Sequence, residues 1–249
     1  MSDATLGRRL LAEALGSAFL AAVVIGSGIA AQRLSPGAVG LELFENAAAT
    51  AAGLFAVISM FGAVSGAHLN PVVSLVDAAF GGLRWPVAAA YIPAQVGGCV
   101  AGAVVANLMF SEPAVTISTH HRASSGHFLS EVVATAGLVL VIFALARTDR
   151  AGSVPAAVGS YIGAAYFFTS STSFANPAIT VGRMLSNTFA GIAPSSAPTF
   201  IAAQIVGGLV AIAVIRAIYP PIDAVVVRLP PTIPAATVRR RRRESAPGE

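Results

Sequence analysis

Apolar residues run along this chain in long blocks that are interrupted mainly at charged positions. The blocks cover 14–32, 46–76, 85–111, 132–146, 151–182 and 184–215. A transmembrane helix needs about 20 apolar residues. Three of the blocks exceed 30 residues, so they are longer than one crossing requires. The pattern predicts several membrane-spanning helices with additional apolar segments of about half that length.

Two of the three longest blocks contain an Asn-Pro pair, Asn70-Pro71 and Asn176-Pro177. Asn is a preferred N-cap, and Pro suits the first helical position because its φ is fixed and it lacks an N–H group. Each pair follows a stretch that can already span the bilayer. The chain is therefore predicted to reach one face and to re-enter as a half-helix. Two half-helix N-termini that meet at mid-membrane would form a pore.

We predict an all-α membrane protein with six spanning helices and two re-entrant half-helices. The spans are expected near 8–31, 46–64, 86–108, 127–147, 153–170 and 197–218, and the half-helices near 71–79 and 177–186. The membrane domain covers 1–218. The remaining segment, 219–249, is rich in Pro and Arg and lacks apolar periodicity, so we expect a disordered tail after Pro220-Pro221 ends the last helix.

Composition and charge agree with this topology. Hydrophobic residues make up 55% and charged residues 10% of the chain, with a mean hydropathy of +0.77, whereas soluble domains carry about 25% charged residues. Arginines concentrate on one face, which predicts a cell-membrane protein with both termini cytoplasmic. The cytoplasmic arginines are Arg8, Arg9, Arg84, Arg147, Arg150, Arg216, Arg228 and those of 239–243, and the outer ones are Arg33, Arg122 and Arg183.

Other function classes find little support in the sequence. The arginine run at 239–243 suggests nucleic-acid or anionic-lipid binding, but no folded basic domain accompanies it, so we expect no nucleic-acid partner. His68 has no second His, Cys or carboxylate at metal spacing. His120, His121 and His127 cluster in the outer loop, where a solvated loop is favoured over a transition-metal site. No Gly-rich phosphate loop follows a strand. We therefore predict no metal site, no cofactor and no enzymatic activity.

The chain repeats internally. Segments that start at Arg9 and His127 align Glu13 with Glu131, and later segments align SGAHLNP with STSFANP and IPAQVGG with IAAQIVG. Three predicted spans, an odd number, separate the copies. The second copy must therefore enter from the opposite face, which is an inverted repeat of about 8–109 and 126–218 with its site at the midplane.

SGAHLNP and FANPA resemble the paired motifs of the aquaporin and glycerol-facilitator family, the major intrinsic proteins. The resemblance implies an aquaporin-like fold with one pore per subunit and assembly as a homotetramer in the lipid bilayer. The paired motifs fall on Asn70, Pro71, Val72 and on Asn176, Pro177, Ala178. Val72 replaces the family's usual Ala and is expected to face the opposing half-helix, where it alters packing more than chemistry.

Helix ends provide the chemistry of the predicted pore. Each half-helix N-terminus carries unpaired N–H groups and about +0.5 of partial charge, which repels cations. The side-chain amides of Asn70 and Asn176 are expected to direct donors into the lumen. A passing water oxygen must then accept from both, so a continuous proton wire cannot keep one donor direction through the centre.

The resemblance also assigns residues around the motifs. The pore-lining carbonyls are expected at Gly66, Ala67, His68, Ser173, Phe174 and Ala175. The carboxylates in the predicted spans are Glu13 and Glu131, and such groups are costly unless they are hydrogen-bonded; in the family they accept N–H groups of the re-entrant loops, the alternative being proton transport. Gln95 and Gln204 are expected to form interhelical bonds near the repeat axis. His68 either lines the pore or braces its loop.

The predicted constriction departs from the family. An Arg commonly follows the second motif, but Ile179 occupies this position. Gapless counting puts the other filter residues near Thr50, Ala164 and Ser173, and such residues would form a wide, weakly polar constriction. Arg183, one turn beyond Ile179, either reaches the outer mouth or extends to the membrane surface as an anchor.

The sequence thus predicts a passive channel for water and small uncharged solutes such as glycerol, urea or arsenite. One alternative is a secondary transporter with an inverted repeat that couples transport to protons through Glu13 or Glu131. Another is a tetramer that conducts nothing. Flux that does not saturate and ignores a pH gradient distinguishes a channel from a transporter.

Overall fold

The computed structural model describes residues 4–219, and within this range the chain is helical with no strand. Its helices are α1 (Leu6–Leu34), α2 (Val39–Ser65), α3 (Pro71–Ala79), α4 (Trp85–Met109), α5 (Ser125–Arg147), α6 (Val154–Phe168), α7 (Pro177–Arg183) and α8 (Ala197–Ile218). A 3-10 turn, Ala151–Ser153, precedes α6. The predicted all-α fold is confirmed, with eight helices in the predicted order in this range. The tail beyond Tyr219, with Arg228 and 239–243, lies outside the described residues.

Three helix boundaries differ from the prediction by three residues or more, among them the end of α1 at Leu34 rather than at 31. α2 begins at Val39 rather than near 46, because Glu42 occupies its first turn, where a carboxylate is stabilised by the positive end of the helix. The Glu42 Oε1 atom also accepts the backbone N–H of Gly37 at 3.1 Å. α7 ends at Arg183 rather than at 186. Glu42, which was expected to lie before the second span, therefore belongs to the first turn of α2.

Five of the helices, α1, α2, α4, α5 and α8, are long and apolar enough to cross a membrane. The remaining predicted span, α6, has 15 residues and continues the 3-10 turn before it. The chain is thus a multi-pass membrane protein. We call the face where α1 begins and α8 ends the inner face, and the opposite one the outer face.

The two halves pack in matching pairs. α1 lies against α4 in the first half, and α5 lies against α8 in the second. Both contacts need glycine, because a Cβ at Gly98 would lie 2.2 Å from the carbonyl oxygen of Ala14 and one at Gly207 would lie 2.6 Å from that of Val132. These close crossings bring the half-helices together between the long helices, with α7 against α4 and α3 against both α4 and α8.

Burial is distributed as in a membrane protein, with polar groups inside and large apolar groups outside. Phe19, Phe55, Met60 and Leu209 are at least half exposed. Conversely, many polar side chains are fully buried, including both spanning glutamates. Because buried polar groups inside a membrane are costly, they mark the functional interior of the bundle.

Candidate functional site

Each half-helix begins at its asparagine. Asn70 and Asn176 have extended backbones, and proline follows each as the first helical residue. The Asn70 Oδ1 atom accepts the N–H of Val72 at 2.9 Å, and the Asn176 Oδ1 atom accepts that of Ala178 at 2.9 Å. The asparagine side chains therefore cap both helices.

The two asparagines also join the two halves. The Nδ2 group of Asn70 donates to the carbonyl oxygen of Ala175 at 2.7 Å, and that of Asn176 donates to Leu69 at 2.7 Å. Each amide nitrogen carries two hydrogens. One of them is used in the crossed bond, so the other remains for a solute in the cavity that both asparagines line.

The loops that lead to the asparagines have an uncommon backbone. Ala67 and Leu69 in the inner loop, and Ser173 and Ala175 in the outer loop, have φ between 46° and 51°. Thr172 has a φ of 61° although it is β-branched. Non-glycine residues rarely adopt this region, and they persist there only where the surroundings hold them. Such strain is typical of functional loops.

A buried carboxylate holds the inner loop in this conformation. The Glu13 Oε1 atom accepts the Ser65 hydroxyl at 2.6 Å and the His68 N–H at 3.0 Å. Its Oε2 atom accepts the Leu69 N–H at 2.7 Å and the Gln95 side-chain amide at 2.8 Å. Four donors therefore surround a carboxylate that is fully buried.

Glu131 makes the same four bonds in the outer half. Its Oε1 atom accepts the Ser171 hydroxyl at 2.6 Å and the Phe174 N–H at 2.9 Å. Its Oε2 atom accepts the Ala175 N–H at 2.9 Å and the Gln204 amide at 2.6 Å. Neither glutamate is among the cavity-lining residues.

The bracing serines were missed by the sequence argument, although they open the two aligned segments. Ser65 and Ser171 each donate to their glutamate and also accept a loop N–H, from Ala67 at 3.1 Å and from Ser173 at 3.2 Å. The repeat alignment already paired these two positions, and that pairing was the available signal.

A cavity of about 870 Å³, a volume that includes adjoining open solvent, runs past both asparagines. The helical residues that line it are Leu20 and Val24 on α1, Thr50, Leu54 and Ile58 on α2, Leu138, Ile142 and Phe143 on α5, and Val154, Val158, Ile162 and Tyr166 on α6. The loops and half-helices contribute Gly66, Ala67, His68, Leu69, Val73, Ser173, Phe174, Ile179 and Arg183. Most of the wall is apolar, so the asparagines and the outer polar residues provide its hydrogen-bonding points.

The expectation that Ala164 lines the constriction is wrong. Its side chain is exposed on the outside of the bundle. The cavity face of α6 instead consists of Val154, Val158, Ile162 and Tyr166, which recur every fourth residue along one side of the helix. Tyr166 replaces the expected small residue, and its hydroxyl lies 3.1 Å from the Thr50 hydroxyl.

Arg183 reaches the cavity and does not extend to the membrane surface. It is 2% exposed, and its guanidinium lies 3.4 Å from the centroid of the Phe174 ring. Its Nε–H donates to the carbonyl oxygen of Ala190. Tyr166 and Arg183 both line the cavity. The expectation of a weakly polar constriction made of four small or aliphatic residues is therefore also wrong.

Two further site residues lie elsewhere than expected. Ala175 is fully buried and is not among the residues that line the cavity, and its carbonyl oxygen accepts the Asn70 amide. Val72 packs towards α8, where a Cβ at Gly208 would lie 2.6 Å from one of its methyl groups. It belongs to an apolar cluster with residues of α3, α5 and α8 rather than with the opposing half-helix.

The outer loop supplies a second arginine near the mouth. Arg122 donates its Nε–H to Gly191 at 2.9 Å and an Nη2 hydrogen to Phe189 at 3.1 Å. Its guanidinium carbon lies 5.5 Å from the centroid of the Phe174 ring. Burial lowers the pKa of Arg122, while Tyr166 and Glu131 oppose this effect.

The histidines of the outer face make separate local contacts. His121 Nδ1 lies 3.3 Å from the Ser195 hydroxyl, and His127 Nδ1 lies 2.9 Å from the Ser124 hydroxyl. Within residues 4–219 no three His, Cys, Asp or Glu side chains are grouped so that they could hold a metal ion.

The chain is similar in sequence to known proteins. The family model described as Major intrinsic protein matches residues 1–175. The chain is 46% identical over 216 residues to "Aquaglyceroporin AqpS" of Rhizobium meliloti (strain 1021), an alignment that covers 87% of this chain and 92% of that protein. It is 36% identical over 187 residues to "Aquaporin NIP1-4" of Oryza sativa subsp. japonica, covering 73% of this chain and 67% of that protein.

A likeness to a solved structure supports the fold. The X-ray structure of the aquaglyceroporin from Plasmodium falciparum superposes with a TM-score of 0.68 and 20% sequence identity. The superposition covers 87% of this chain and 98% of that one. At this identity the likeness bears on the fold alone.

Proposed function

We propose that this chain, which belongs to the major intrinsic protein family, is a passive channel for water and glycerol. The observation that carries the proposal is the cavity that passes two opposed half-helix N-termini, each with one uncommitted asparagine N–H. A solute hydroxyl or water oxygen accepts from these donors. The positive helix ends raise the energy of a cation at the same point.

The chemistry of the wall favours neutral solutes with a carbon backbone. Residues such as Leu54, Val158 and Ile162 provide apolar contacts on the cavity wall. A polyol presents carbon on one side and hydroxyl groups on the other, and this matches an apolar wall with few hydrogen-bonding points. Urea and arsenite, which are also small and uncharged, are further proposed solutes.

We assign the outer selectivity filter to Thr50, Tyr166, Ser173, Ile179 and Arg183. The hydroxyl of Ser173 is buried and has no hydrogen-bond partner within residues 4–219, so it can bond a solute. Arg183 contributes a guanidinium one helical turn beyond the position at which the family commonly carries its arginine. The aliphatic Ile179 leaves one side of this filter apolar.

The buried glutamates support a passive mechanism. Each carboxylate already accepts four hydrogen bonds and is absent from the cavity wall. A proton carrier must exchange protons with the transported path. Glu13 and Glu131 are therefore assigned to bracing the loops, and no proton coupling is proposed.

We further propose that the channel is a homotetramer in the cell membrane with its inner face towards the cytoplasm. Among the described arginines, Arg8, Arg9, Arg84, Arg147, Arg150 and Arg216 lie towards the inner face, against Arg33, Arg122 and Arg183 towards the outer. An excess of arginine marks the cytoplasmic side. Protease accessibility of tags at the two termini tests the orientation.

The function is tested in liposomes that contain the purified full-length protein. Water, glycerol, urea and arsenite are each applied as an osmotic or concentration gradient, and uptake is followed by light scattering or by solute analysis. Flux should rise in proportion to solute concentration and should not respond to a transmembrane pH gradient. Saturating, proton-coupled uptake would contradict the channel, and flux equal to that of empty liposomes would contradict transport of that solute.

A further inference from the structure

The two half-helices carry opposite charges at equivalent positions. Asp77 is the seventh residue after Asn70, and Arg183 is the seventh after Asn176. The inner charge lies beside a polar partner, because the Asp77 Oδ2 atom is 3.5 Å from the Nε2 atom of His68. Arg183 is 2% exposed and forms no ion pair with a carboxylate of the described chain. The outer half-helix therefore holds a buried cation without a paired carboxylate in this part of the chain.

The outer mouth has an excess of positive charge, and burying such charge is costly unless it is paired. Arg122 adds a second guanidinium, whose carbon lies 5.5 Å from the centroid of the Phe174 ring on which Arg183 stacks. Glu131 acts electrostatically on both arginines. Its oxygens are already taken by four loop and side-chain donors. One carboxylate thus faces two guanidinium groups.

The Arg183 guanidinium has unused donors at the cavity. It carries five N–H groups, and the one on Nε donates to the carbonyl oxygen of Ala190. The other four, on the Nη atoms, have no hydrogen-bond partner within the described chain, and the side chain lines the cavity. A planar guanidinium presents such hydrogens as a fork that matches two oxygens of one oxyanion.

Hydroxyl groups on the same stretch of wall add further donors. The Ser173 Oγ atom is buried and lacks a hydrogen-bond partner among the described residues. The hydroxyls of Thr50 and Tyr166 lie 3.1 Å apart, so one hydrogen is used between them and the other remains. All three side chains line the cavity, and no Asp or Glu of the described chain does. The outer filter is therefore rich in donors and contains no carboxylate that would repel an anion.

Charge balance determines which anion fits this site. A monovalent anion offsets the excess positive charge of the mouth. A dianion would leave a negative charge beside the apolar side chains of Ile179 and Phe174, which also line the cavity. A planar oxyanion such as nitrate puts two oxygens on the guanidinium fork and leaves the third for a hydroxyl.

We propose that the outer filter binds a small planar monovalent oxyanion, such as nitrate or bicarbonate, between the Arg183 guanidinium and the Ser173 hydroxyl. This anion is the counterion that the buried guanidinium lacks. A hydrogen bond between two charged groups is stronger than one to a neutral hydroxyl. The anion therefore competes with glycerol for the same donors and obstructs the outer mouth. The competition rests on the proposed channel function, whereas binding does not.

The test measures glycerol flux into liposomes that contain the full-length protein and have equal potassium nitrate on both faces. The reference salt is potassium morpholinoethanesulfonate, whose anion carries one charge on a much bulkier molecule. Nitrate should lower the flux of the parent protein, and the reference salt should not. Arg183→Lys keeps a positive charge but loses the planar fork. Its nitrate concentration for half-inhibition should rise about tenfold, the factor expected for one lost charge-assisted hydrogen bond.

Ser173→Ala tests the hydroxyl without disturbing the loop. Ala175 has a φ of 49° and Ser173 one of 51°, so alanine suits this backbone, and the lost hydroxyl has no partner in the described chain. The variant should keep the parent's thermal stability and need more nitrate for half-inhibition. Arg33→Lys is the matched control for Arg183→Lys, because Arg33 is an exposed outer arginine that pairs with Glu112. It should respond to nitrate as the parent does.

Isotope-edited infrared spectra of nitrate test binding independently of flux. Nitrate has a pair of N–O stretching modes whose splitting grows when two of its oxygens bind one cation. The purified parent and Arg33→Lys should show this enlarged splitting, and Arg183→Leu should not. Identical nitrate spectra for the parent and Arg183→Leu would overturn the inference.

The flux outcomes separate the anion site from the channel function. Ample parent flux that is equal in nitrate and in the reference salt would overturn the inference and leave the channel intact. Equal inhibition of the parent, Arg183→Lys and Ser173→Ala would also overturn it, because the anion would then act elsewhere. Loss of inhibition in Arg33→Lys would have the same meaning. Absence of glycerol flux in both salts contradicts the proposed function, and the infrared spectra still decide whether the anion binds.

Discussion

The inner loop, 66–70, and the outer loop, 172–176, are held by the same set of bonds and carry different side chains. Glu13 and Glu131 each bind a serine hydroxyl, two loop N–H groups and a glutamine amide. The rings that face the lumen differ, being His68 in the inner loop and Phe174 in the outer one. An inverted repeat therefore keeps the supports of the pore alike while the two mouths acquire separate chemistry.

The same pattern continues behind the loops. Tyr91 contacts the His68 ring edge-on at 71°, and Phe200 contacts the Phe174 ring at 72°. The ring arrangement is thus kept, but the inner half adds a hydroxyl that accepts from Arg9. The comparison teaches that supporting geometry can be inferred from repeat alignment, whereas charge and titration must be determined for each mouth separately.

The largest expected effect tests whether the supports are equivalent. Glu13→Gln and Glu131→Gln each replace one acceptor oxygen by a donor, so two donors, one loop N–H group and one side-chain group, lose their partner. Since a hydrogen bond to a charged group contributes about 1.5–3 kcal/mol, we expect each variant to lose about 3 kcal/mol or more of stability. Thermal unfolding in detergent measures this loss. Destabilisation of only one variant would contradict the equivalence of the two halves.

The second prediction concerns the shared centre. Asn176→Asp keeps an oxygen for the α7 cap but adds negative charge and loses the donor to Leu69. A unit charge about 4 Å from a passing cation changes its energy by about 4 kcal/mol at an effective dielectric constant of about 20. Cation leakage should therefore rise steeply, and Asn70→Asp should leak to a similar degree. Conductance of planar bilayers measures it, and a parent-like conductance would show that Asn176 does not control cations.

The third prediction concerns the outer mouth alone. Arg183→Leu removes the guanidinium beside Phe174 and leaves an apolar wall, so glycerol should gain relative to water. A change of about 1 kcal/mol, or roughly fivefold in the permeability ratio, is expected for one lost polar contact. Arg33→Leu is the control, because Arg33 is an exposed arginine that pairs with Glu112 on the outer surface. If both variants keep the parent's ratio, Arg183 does not belong to the filter.

The smallest expected effect is a pH dependence of the stability of the outer loop. Burial, with Arg122 adding to it, lowers the pKa of His120 below its ordinary value of about 6.5. The neutral form is favoured in the folded protein, so this stabilisation is present above about pH 6.5 and is lost as the pH falls through the lowered pKa. Hydrogen exchange in 110–124 should rise slightly on acidification, and His120→Gln should remove the response. The neighbouring histidine, which contacts the Ser195 hydroxyl, serves as a control in His121→Gln, and an equal response there would contradict the assignment.

Much of the architecture could be predicted from the pattern of apolar blocks. Charged positions bound the spans because charge is costly inside a bilayer, and Asn-Pro pairs predict half-helix starts because Asn caps and Pro suits the first turn. The repeat alignment already paired Glu13 with Glu131 and Gln95 with Gln204. The helical fold and the family membership inferred from these residues are confirmed.

What the sequence by itself determined, then, is the order of spans, the re-entrant starts and the pairing of supports, since each follows from local preferences and burial cost. Tertiary structure decided which side of each helix faces the cavity. A helix turns about 100° per residue, so the two-residue difference between Ala164 and Tyr166 moves a side chain from the cavity to the outer surface. The contact of Arg183 with Phe174 and that of Asp77 with His68 depend on how the half-helices pack, because long or charged side chains settle where a partner from another segment lies within reach.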